Sequence, residues 1–561
     1  MPQRVHITTA IFYCNGAPHV GSAYEALAAD VFARYQRRRV GREQVTFLSG
    51  TDEHGDKIRR AALAQGLAPK VYTDQMSELF RAAFAGLNVS FDYWVRTTDP
   101  VHEKFVQAML TRTYARGDIY FRDYAGLYCV DCERFYTEKE LLPDSICPVH
   151  NKKVELINEG NYFLKIDKYR EAVLRHIHDH PDFIRPERYR NEALNMLAEP
   201  LADLCISRPK TRMDWGIEIP FDDRYVTYVW YDAFWTYVSK PATDSGDIDR
   251  YMREVFPHTE HFIGKDILKT HAVYWPPMVL AAGFDGLFFK HLNVHGWLNF
   301  GGSRMSKSSG NVRDPVAYEQ SFGPDVLRYF VMREMAYGLD GDFSEERLTE
   351  RYNADLANNL GNLVSRVLTM ARNYFSSEIK SLPTDPSLLA SLDVKARPKF
   401  GDPLGPTPAN PAIMSTLTSL HQTPPIDIGP PGYIDLHLCG VFTDQPATVG
   451  KLVDQLSFNR ALEEIWKMLD FANKYVAMTV PFTLFKTDPA RVQVILANLT
   501  EAVRVLANTL EPFMPVTAQK IFAMLNVDEE TARKPYGEGL KLGHKVNPPV
   551  ALFPRIEKAK A

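Results

Sequence analysis

No run of the sequence reaches the ~18 consecutive apolar residues that a membrane-crossing helix needs, so no spanning segment is expected. The N-terminal MPQRVHITTAIFYC enters a strand-like pattern without a basic region and apolar core, which argues against a signal peptide. Cysteine is scarce, at 6 of 561 residues. That is too few for a disulfide scaffold and fits a reducing cytoplasm. Basic excess is also absent: 65 Lys and Arg against 69 Asp and Glu leave a net charge of −4. This counts against a histone-like binder that works by charge alone, though not against a local basic surface. There is no internal repeat and no long run of one charge. What remains, 45% hydrophobic and 24% charged residues, is the composition of a globular protein. At about 100–200 residues per domain the length implies several structural units.

The first fifty residues read as strand, helix, strand. Val5 to Ile11 is rich in β-branched residues, and Asn15-Gly16-Ala17-Pro18 is a turn. Ala23 to Arg39 carries apolar residues at helical spacing, with Gly41 where a C-terminal cap belongs, and Gln44 to Leu48 reads as the next strand. Such a unit implies a parallel sheet with a right-handed crossover. Residues 117–225 have paired cysteines and few helical periods, and are expected to form an insertion. Strands are expected again at Tyr225–Trp230, Glu260–Gly264 and Leu287–Val294, with a helix from Asp266 to Ala282. Beyond about 345 the apolar spacing turns helical, over Leu356–Tyr374, Val453–Val476 and Ala490–Met524, which suggests a bundle. Residues 381–446 hold about a dozen of the 37 prolines, a density that forbids helix interiors and favours an extended insertion or linker.

Three elements carry chemistry. Cys129-Val-Asp-Cys132 and Cys147-Pro-Val-His150 have the spacing that closes a tetrahedron around one Zn²⁺, with four protein ligands and no open position, hence a structural site. The alternative is a set of unliganded buried thiols. Pro18-His19-Val20-Gly21-Ser22 lies between a strand and its helix, where backbone N–H groups and the helix dipole suit a phosphate. Ser22-Ala-Tyr-Glu25 is equally a capping box that needs no ligand. Arg304-Met305-Ser306-Lys307-Ser308 sits in a Gly/Ser-rich loop suited to closing over phosphates, or to being a solvated surface loop.

Together, HVGS and RMSKS resemble the HIGH and KMSKS motifs of class I aminoacyl-tRNA synthetases. Ser22 stands where that family has its second histidine, and Arg304 where it has its first lysine. Further stretches resemble the methionyl-tRNA synthetases in order and spacing. They are Ala10-Ile-Phe-Tyr13-Cys-Asn15-Gly16, Gly50-Thr-Asp52-Glu-His54-Gly55, Tyr228-Val-Trp230-Tyr-Asp232-Ala233, Phe262-Ile-Gly264-Lys265-Asp266, Asp355 to Arg366, and Ala472-Asn473-Lys474-Tyr475. Only 381–446 has no counterpart in that pattern.

The resemblance implies an α/β fold: a Rossmann-type parallel sheet split by a zinc-bearing connective insertion, followed by a helical-bundle anticodon-binding domain. The expected divisions are 1–116 and 226–315 for the two catalytic halves, 117–225 for the insertion, 316–350 for a stem-contact connector and 351–561 for the anticodon domain. It also implies a ligase that joins L-methionine to tRNA(Met) through methionyl-adenylate, using ATP with Mg²⁺. His19, Gly21, Ser22, Gly264, Asp266, His295, Gly296, Arg304 and Lys307 are the expected ATP contacts. Of these, His19, Ser22, Arg304 and Lys307 bear on catalysis. The methionine pocket is expected from Ile11, Tyr13, Asp52, Trp230, Ala233, Tyr237, His271 and Trp275, with Asp52 facing the ammonium. Polarizable sulfur favours such aromatic surroundings, although each ring could equally be core, and Phe234 and Trp235 are core candidates. Asn362, Arg366 and Phe482 are the expected anticodon contacts, with Phe482 where the family usually has Trp. Two other readings stand beside this one: a class I synthetase for another apolar amino acid, and a zinc-containing RNA-binding protein without catalysis. The chain stops just after Phe553-Pro554-Arg555, so a monomer is expected.

Overall fold

A computed structural model describes residues 4–129, 134–136, 138–148, 151–304, 313–387 and 433–556. It divides into two compact units, 1–317 with 337–342, and 318–336 with 343–561.

The first unit is built on a seven-stranded parallel sheet. Strands β1 (Val5–Thr9), β2 (Phe12–Tyr13), β3 (Val45–Asp52) and β4 (Tyr93–Arg96) come from its first half. Every residue of β1 is buried, as expected for a strand covered on both faces. Helix α1 (Val20–Val40) crosses from β2 to β3 and ends, as its sequence predicts, at Gly41 with φ 99°. Strand β2 continues β1 along β3, but the register slips. Thr8 is opposite Leu48, whereas Phe12 is opposite Thr51. Four steps on one strand against three on the other leave one extra residue at Ala10–Ile11, a bulge. It sets Tyr13 directly opposite Asp52.

The middle of this unit departs from the expected insertion. Strands β5 (Ile119–Cys129), β6 (Arg134–Tyr136), β7 (Glu155–Leu164) and β9 (Leu204–Cys205) make an antiparallel sheet, but β8 (Ile184–Arg185) between them joins the main sheet beside its last strand. The stretch 117–225 is therefore not separate from the catalytic sheet. The strand expected at Tyr225–Trp230 is also corrected. A small antiparallel sheet of β10 (Ser207–Pro209), β11 (Glu218–Ile219) and β12 (Asp222–Thr227) ends at Thr227, and helix α2 (Val229–Asp244) begins two residues later. The apolar run there suits a buried strand and a buried helix alike, and length decides for the helix.

Strands β13 (Thr259–Gly264) and β14 (His291–His295) complete the order β2-β3-β1-β13-β14-β8, with β4 on the other side of β3. The helix expected over 266–282 is three pieces: a 3₁₀ turn at Lys265–Ile267, a π turn at Thr270–Tyr274, and α3 (Trp275–Ala281). Pro276 and Pro277 lack the N–H groups that α-helical bonding to the preceding turn requires. After β14 come β15 (Leu298–Phe300) and β16 (Ser303–Arg304), an antiparallel hairpin. Segment 337–342 docks on this hairpin: Trp297 N donates to Asp340 Oδ1 at 2.8 Å, Gly302 N to Asp342 Oδ1 at 2.9 Å, and Gly341 N to Trp297 O at 3.0 Å.

The second unit is helical. It contains α4 (Pro324–Glu334), α5 (Asn362–Phe375), α6 (Tyr433–Asp454), α7 (Phe458–Thr479), α8 (Pro489–Leu510) and α9 (Pro515–Leu525). The single helices expected over Val453–Val476 and Ala490–Met524 are each broken, at Leu456 with φ 57° and ahead of Pro515. The proline-rich stretch is corrected too: α6 starts inside it and carries Pro446 in its interior, while 388–432 lie outside the described residues. Arg504 of α8 is fully buried. It makes a two-pronged pair with Glu501, at 2.8 and 2.6 Å, and donates to the carbonyls of Thr531, Ala532, Lys534 and Pro535. A Cβ at Gly539 would meet the Arg504 Nε at 2.1 Å, so only glycine fits against this guanidinium.

Candidate active site

The carboxyl ends of β2, β3, β13 and β14 and the start of α1 meet at the point where strand order reverses, the usual ligand crevice of an open α/β sheet. His19, not Ser22, is the N-cap of α1, and Ser22 is the third helical residue. The capping box is reciprocal. Ser22 N donates to His19 Nδ1 at 3.3 Å, and His19 N donates to Ser22 Oγ at 3.0 Å. A serine hydroxyl thus does local work at the position that departs from the HIGH pattern. Gly21 is required because a Cβ there would meet the His19 ring at 2.9 Å. Val20 N donates to Arg313 O at 2.9 Å, so the chain leaving the RMSKS segment is bonded to the first turn of α1. Lys307 lies outside the described residues; Arg304 is placed by its backbone pairing with Asn299 in the β15–β16 hairpin.

Gly264 and His295 end neighbouring strands in register. A Cβ on Gly264 would meet Asp266 Oδ1 at 2.7 Å and the His295 ring at 3.6 Å. His295 is buried between Glu25 Oε2, 3.0 Å from its Nε2, and the carbonyl of Gly296, 2.7 Å from its Nδ1. Burial pushes the Glu25 carboxyl up. Burial opposes charge on His295 as well, but Glu25 outweighs it and holds the imidazole above its usual value. The two groups thus form a buried hydrogen-bonded pair. Gly296 has a packing reason of its own, since a Cβ there would meet the Leu339 backbone at 2.2 Å. Glu25 was read only as part of a capping box; nothing local in the sequence marks a partner 270 residues away.

Beside Asp52 and Tyr13 stands a wall of rings. Ile11, Tyr13 and Trp230 are partly buried, and Ala233, Tyr237 and His271 are buried. Tyr237 Oη and His271 Nε2 are 2.7 Å apart, and His271 Nδ1 is 2.9 Å from the carbonyl of Ile267. Nδ1 therefore carries the proton, and the tyrosine hydroxyl donates to Nε2. Burial lowers the His271 pKa to about 4, so the ring is neutral at ordinary pH. Trp230 meets His271 edge-on at 6.5 Å. Trp275 is fully buried: its Nε1 donates to His261 Nε2 at 3.2 Å, and it stacks on Phe234 at 5.6 Å. It lies in the core beneath this wall. Phe234, read as core, also reaches His271, edge-on at 5.0 Å.

In the helical unit Asn362 and Arg366 are exposed, four residues apart on α5. Arg366 Nη2 donates to Asn473 Oδ1 at 2.5 Å, Asn473 Nδ2 to Asn359 Oδ1 at 2.6 Å, and Asn359 Nδ2 to Asp470 Oδ1 at 2.7 Å. This chain of amides fixes the guanidinium at the surface. Phe482 is 48% exposed on the short helix Pro481–Leu484. Of the expected metal ligands, Cys129 and Cys147 are buried in one small cluster with Tyr136 and Val154, whereas Cys132 and His150 lie outside the described residues. Among the described residues, no group of three or more His, Cys, Asp or Glu is placed to hold a metal ion.

Residues 5–153 and 138–368 match the family described as tRNA synthetases class I (M), and 428–561 match the anticodon binding domain of methionyl tRNA ligase. The methionine–tRNA ligase of Caldanaerobacter subterraneus subsp. tengcongensis is 37% identical over 564 residues, covering 100% of this chain and 80% of the relative. That of Clostridium tetani is 38% identical, covering 98% and 78%. A structure of Mycobacterium tuberculosis methionyl-tRNA synthetase in complex with methionyl-adenylate superposes with a TM-score of 0.84 at 35% identity, covering 99% of this chain and 100% of that one. The apo form of the same enzyme gives 0.78 at 33% identity, covering 100% and 99%.

Proposed function

The chain belongs to the class I methionyl-tRNA synthetases, and from that membership we propose how its residues divide the work. It is a methionine–tRNA ligase: it activates L-methionine with ATP and transfers the methionyl group to tRNA(Met). In the first step a methionine carboxylate oxygen bonds to the α-phosphorus and pyrophosphate leaves. In the second, a terminal adenosine hydroxyl of the tRNA attacks the acyl carbon and AMP leaves. Neither step needs a protein nucleophile. Catalysis is positioning and charge stabilisation.

His19, Gly21 and Ser22 hold the phosphates at the α1 N-terminus, while Gly264, Asp266, His295 and Gly296 border the nucleoside. Lys307, aided by Arg304, neutralises charge on the departing pyrophosphate. Mg²⁺ bound with ATP would add to this charge neutralisation. Asp52 faces the methionine ammonium, and Ile11, Tyr13, Trp230, Ala233 and Tyr237 surround the side chain. A neutral His271 keeps that pocket free of a cation, which suits a thioether. Trp275 supports the wall from below. The observation that carries this reading is the Val20–Arg313 backbone bond, which ties the two motif-bearing segments together. Regions 1–116 and 226–315 supply the two catalytic halves, 316–350 the stem-contact connector, and 351–561 the anticodon domain. Among the described residues no helix is long and apolar enough to cross a membrane, and a cytoplasmic place of work is part of the same reading.

ATP–pyrophosphate exchange over a panel of amino acids tests the first step, with methionine expected to be the one efficient substrate. The second step is tested by Asn362→Ala and Arg366→Ala. Charging of tRNA should fall roughly ten- to hundred-fold, about 1–3 kcal/mol for a lost base contact, with exchange near wild type. Phe482→Ala should act in the same direction through lost stacking, also about 1–3 kcal/mol. Loss of both activities together would make these residues supports of the fold.

Cys129, Cys132, Cys147 and His150 are proposed to bind one structural Zn²⁺. The burial of two thiols in one small cluster supports this, because a closed zinc site contributes folding energy to its own module. Cys147→Ala is expected to release the metal and loosen β5, β6 and β7 while the helical unit stays folded. Metal analysis of the wild-type protein finding no zinc would end the assignment.

A further inference from the structure

Asp232 is fully buried on the first turn of α2, between Trp230 and Ala233, and has no part in the chemistry above. Its Oδ2 lies 2.7 Å from His54 Nδ1, and its Oδ1 lies 3.6 Å from His102 Nε2. His102 is fixed in turn by Ser239, 3.0 Å from its Nδ1 and two turns further along α2. Burial opposes both charges of the closer pair, yet mutual attraction prevails. Asp232 is held below the usual carboxylate range and His54 above the usual imidazole value.

His54 is two residues beyond Asp52, and the peptide between them is gripped from the other side. The Glu53 carboxylate accepts from Arg96 Nε and Nη2 at 2.6 and 2.8 Å and from the hydroxyls of Thr51 and Thr98 at 2.6 Å. Glu53 N donates to Thr97 Oγ1 at 2.9 Å, and Trp215 Nε1 donates to Glu53 O at 2.5 Å. Trp215 also meets the His54 ring edge-on at 5.4 Å. Asp52 is thus followed by two anchored residues, Glu53 and His54, the second of which is bonded directly to the helix that carries Trp230 and Ala233.

We infer that His54, Asp232 and His102 are positioning residues: a buried clasp that holds the methionine-facing turn of α2 in register with Asp52 at the end of β3. This rests on the reading that Asp52 and Trp230 face methionine. A need for stability alone does not account for the clasp. A buried ion pair costs so much desolvation that apolar residues of similar volume commonly serve as well or better. Defined geometry between two recognition elements does account for it, since a misplacement of about 1 Å can cost ~10²-fold in a reaction.

The test is pyrophosphate exchange by the full chain, with KM for methionine and for ATP measured separately in His54→Leu and His54→Asn. His54→Leu should raise KM for methionine about 10–100-fold while KM for ATP and kcat stay within about threefold. His54→Asn can place an amide donor near the position of Nδ1, and should recover most of the loss. An unchanged methionine KM in His54→Leu, or equal rises in both KM values, overturns the clasp. Should His54→Leu not fold, Asp232→Asn serves instead, with at least a fivefold rise in methionine KM supporting the inference and no rise overturning it. Asp52→Asn separates the layers of the argument. If it leaves methionine KM unchanged, the pocket reading itself fails. If it raises that KM and His54→Leu does not, only the clasp fails.

Discussion

Replacing Lys307 with alanine is expected to slow methionyl-adenylate formation roughly 10²–10³-fold, about 3–4 kcal/mol, with methionine binding nearly intact. The charge on pyrophosphate grows as the phosphorus–oxygen bond breaks, so a cation aimed there stabilises the transition state more than bound ATP. Both ends of the segment carrying Lys307 are fixed. Arg304 enters from the β15–β16 hairpin, and Arg313 leaves with its carbonyl bonded to Val20, next to His19. Single-turnover adenylate formation under quench measures the effect. A wild-type rate would reduce the RMSKS segment to a surface feature.

Arg504→Met is expected to cost the helical unit about 3–5 kcal/mol, because it removes one partner of a buried pair and leaves the other charge behind. Among the described residues, the Glu501 carboxylate would keep the amides of Gly537 and Gly539. Four carbonyls between Thr531 and Pro535 would lose the guanidinium, although Thr531 O and Pro535 O would keep the amides of Lys534 and Glu538. Urea unfolding followed by circular dichroism, with hydrogen exchange over 531–539, reads both parts. A loss under about 1 kcal/mol would show that the guanidinium is replaceable by packing.

What could be read from the sequence was local. The helix ending at Gly41 and the strand ending at Gly264 are each encoded by a period or a cap within a few residues, and each is present; of the turn expected at 15–18, a bend at Asn15-Gly16 is seen. The site glycines were legible for the same reason: Gly21 and Gly264 sit where a Cβ would strike a neighbouring side chain two residues away. Distant partnerships were not legible. His54 with Asp232, and Glu25 with His295, are 178 and 270 residues apart, and no spacing rule links them. The run from Tyr225 to Trp230 misled because heavy burial removes the polar face that distinguishes period 2 from period 3.6. Strand β8 has two residues and hence no period at all. The resemblance supplied what periodicity could not, including Trp275, a ring that the structure buries against Phe234 and Tyr237. It offered no reason for serine at position 22, which the capping geometry provides.

The chain crosses between its two units three times, because 337–342 belongs to the first while 318–336 and 343–561 belong to the second. No single cut can therefore release either unit whole. A fragment ending at 317 would keep His19, Asp52 and the RMSKS segment, yet lose Asp340 and Asp342, which cap Trp297 and Gly302 at the root of that segment's hairpin. A truncation at that point, though it kept every active-site motif, would still delete the six residues docked on the hairpin that leads into one of them. The inheritable block for activation runs at least to residue 342, so catalysis and the start of the RNA-reading half cannot be shuffled apart by one recombination event.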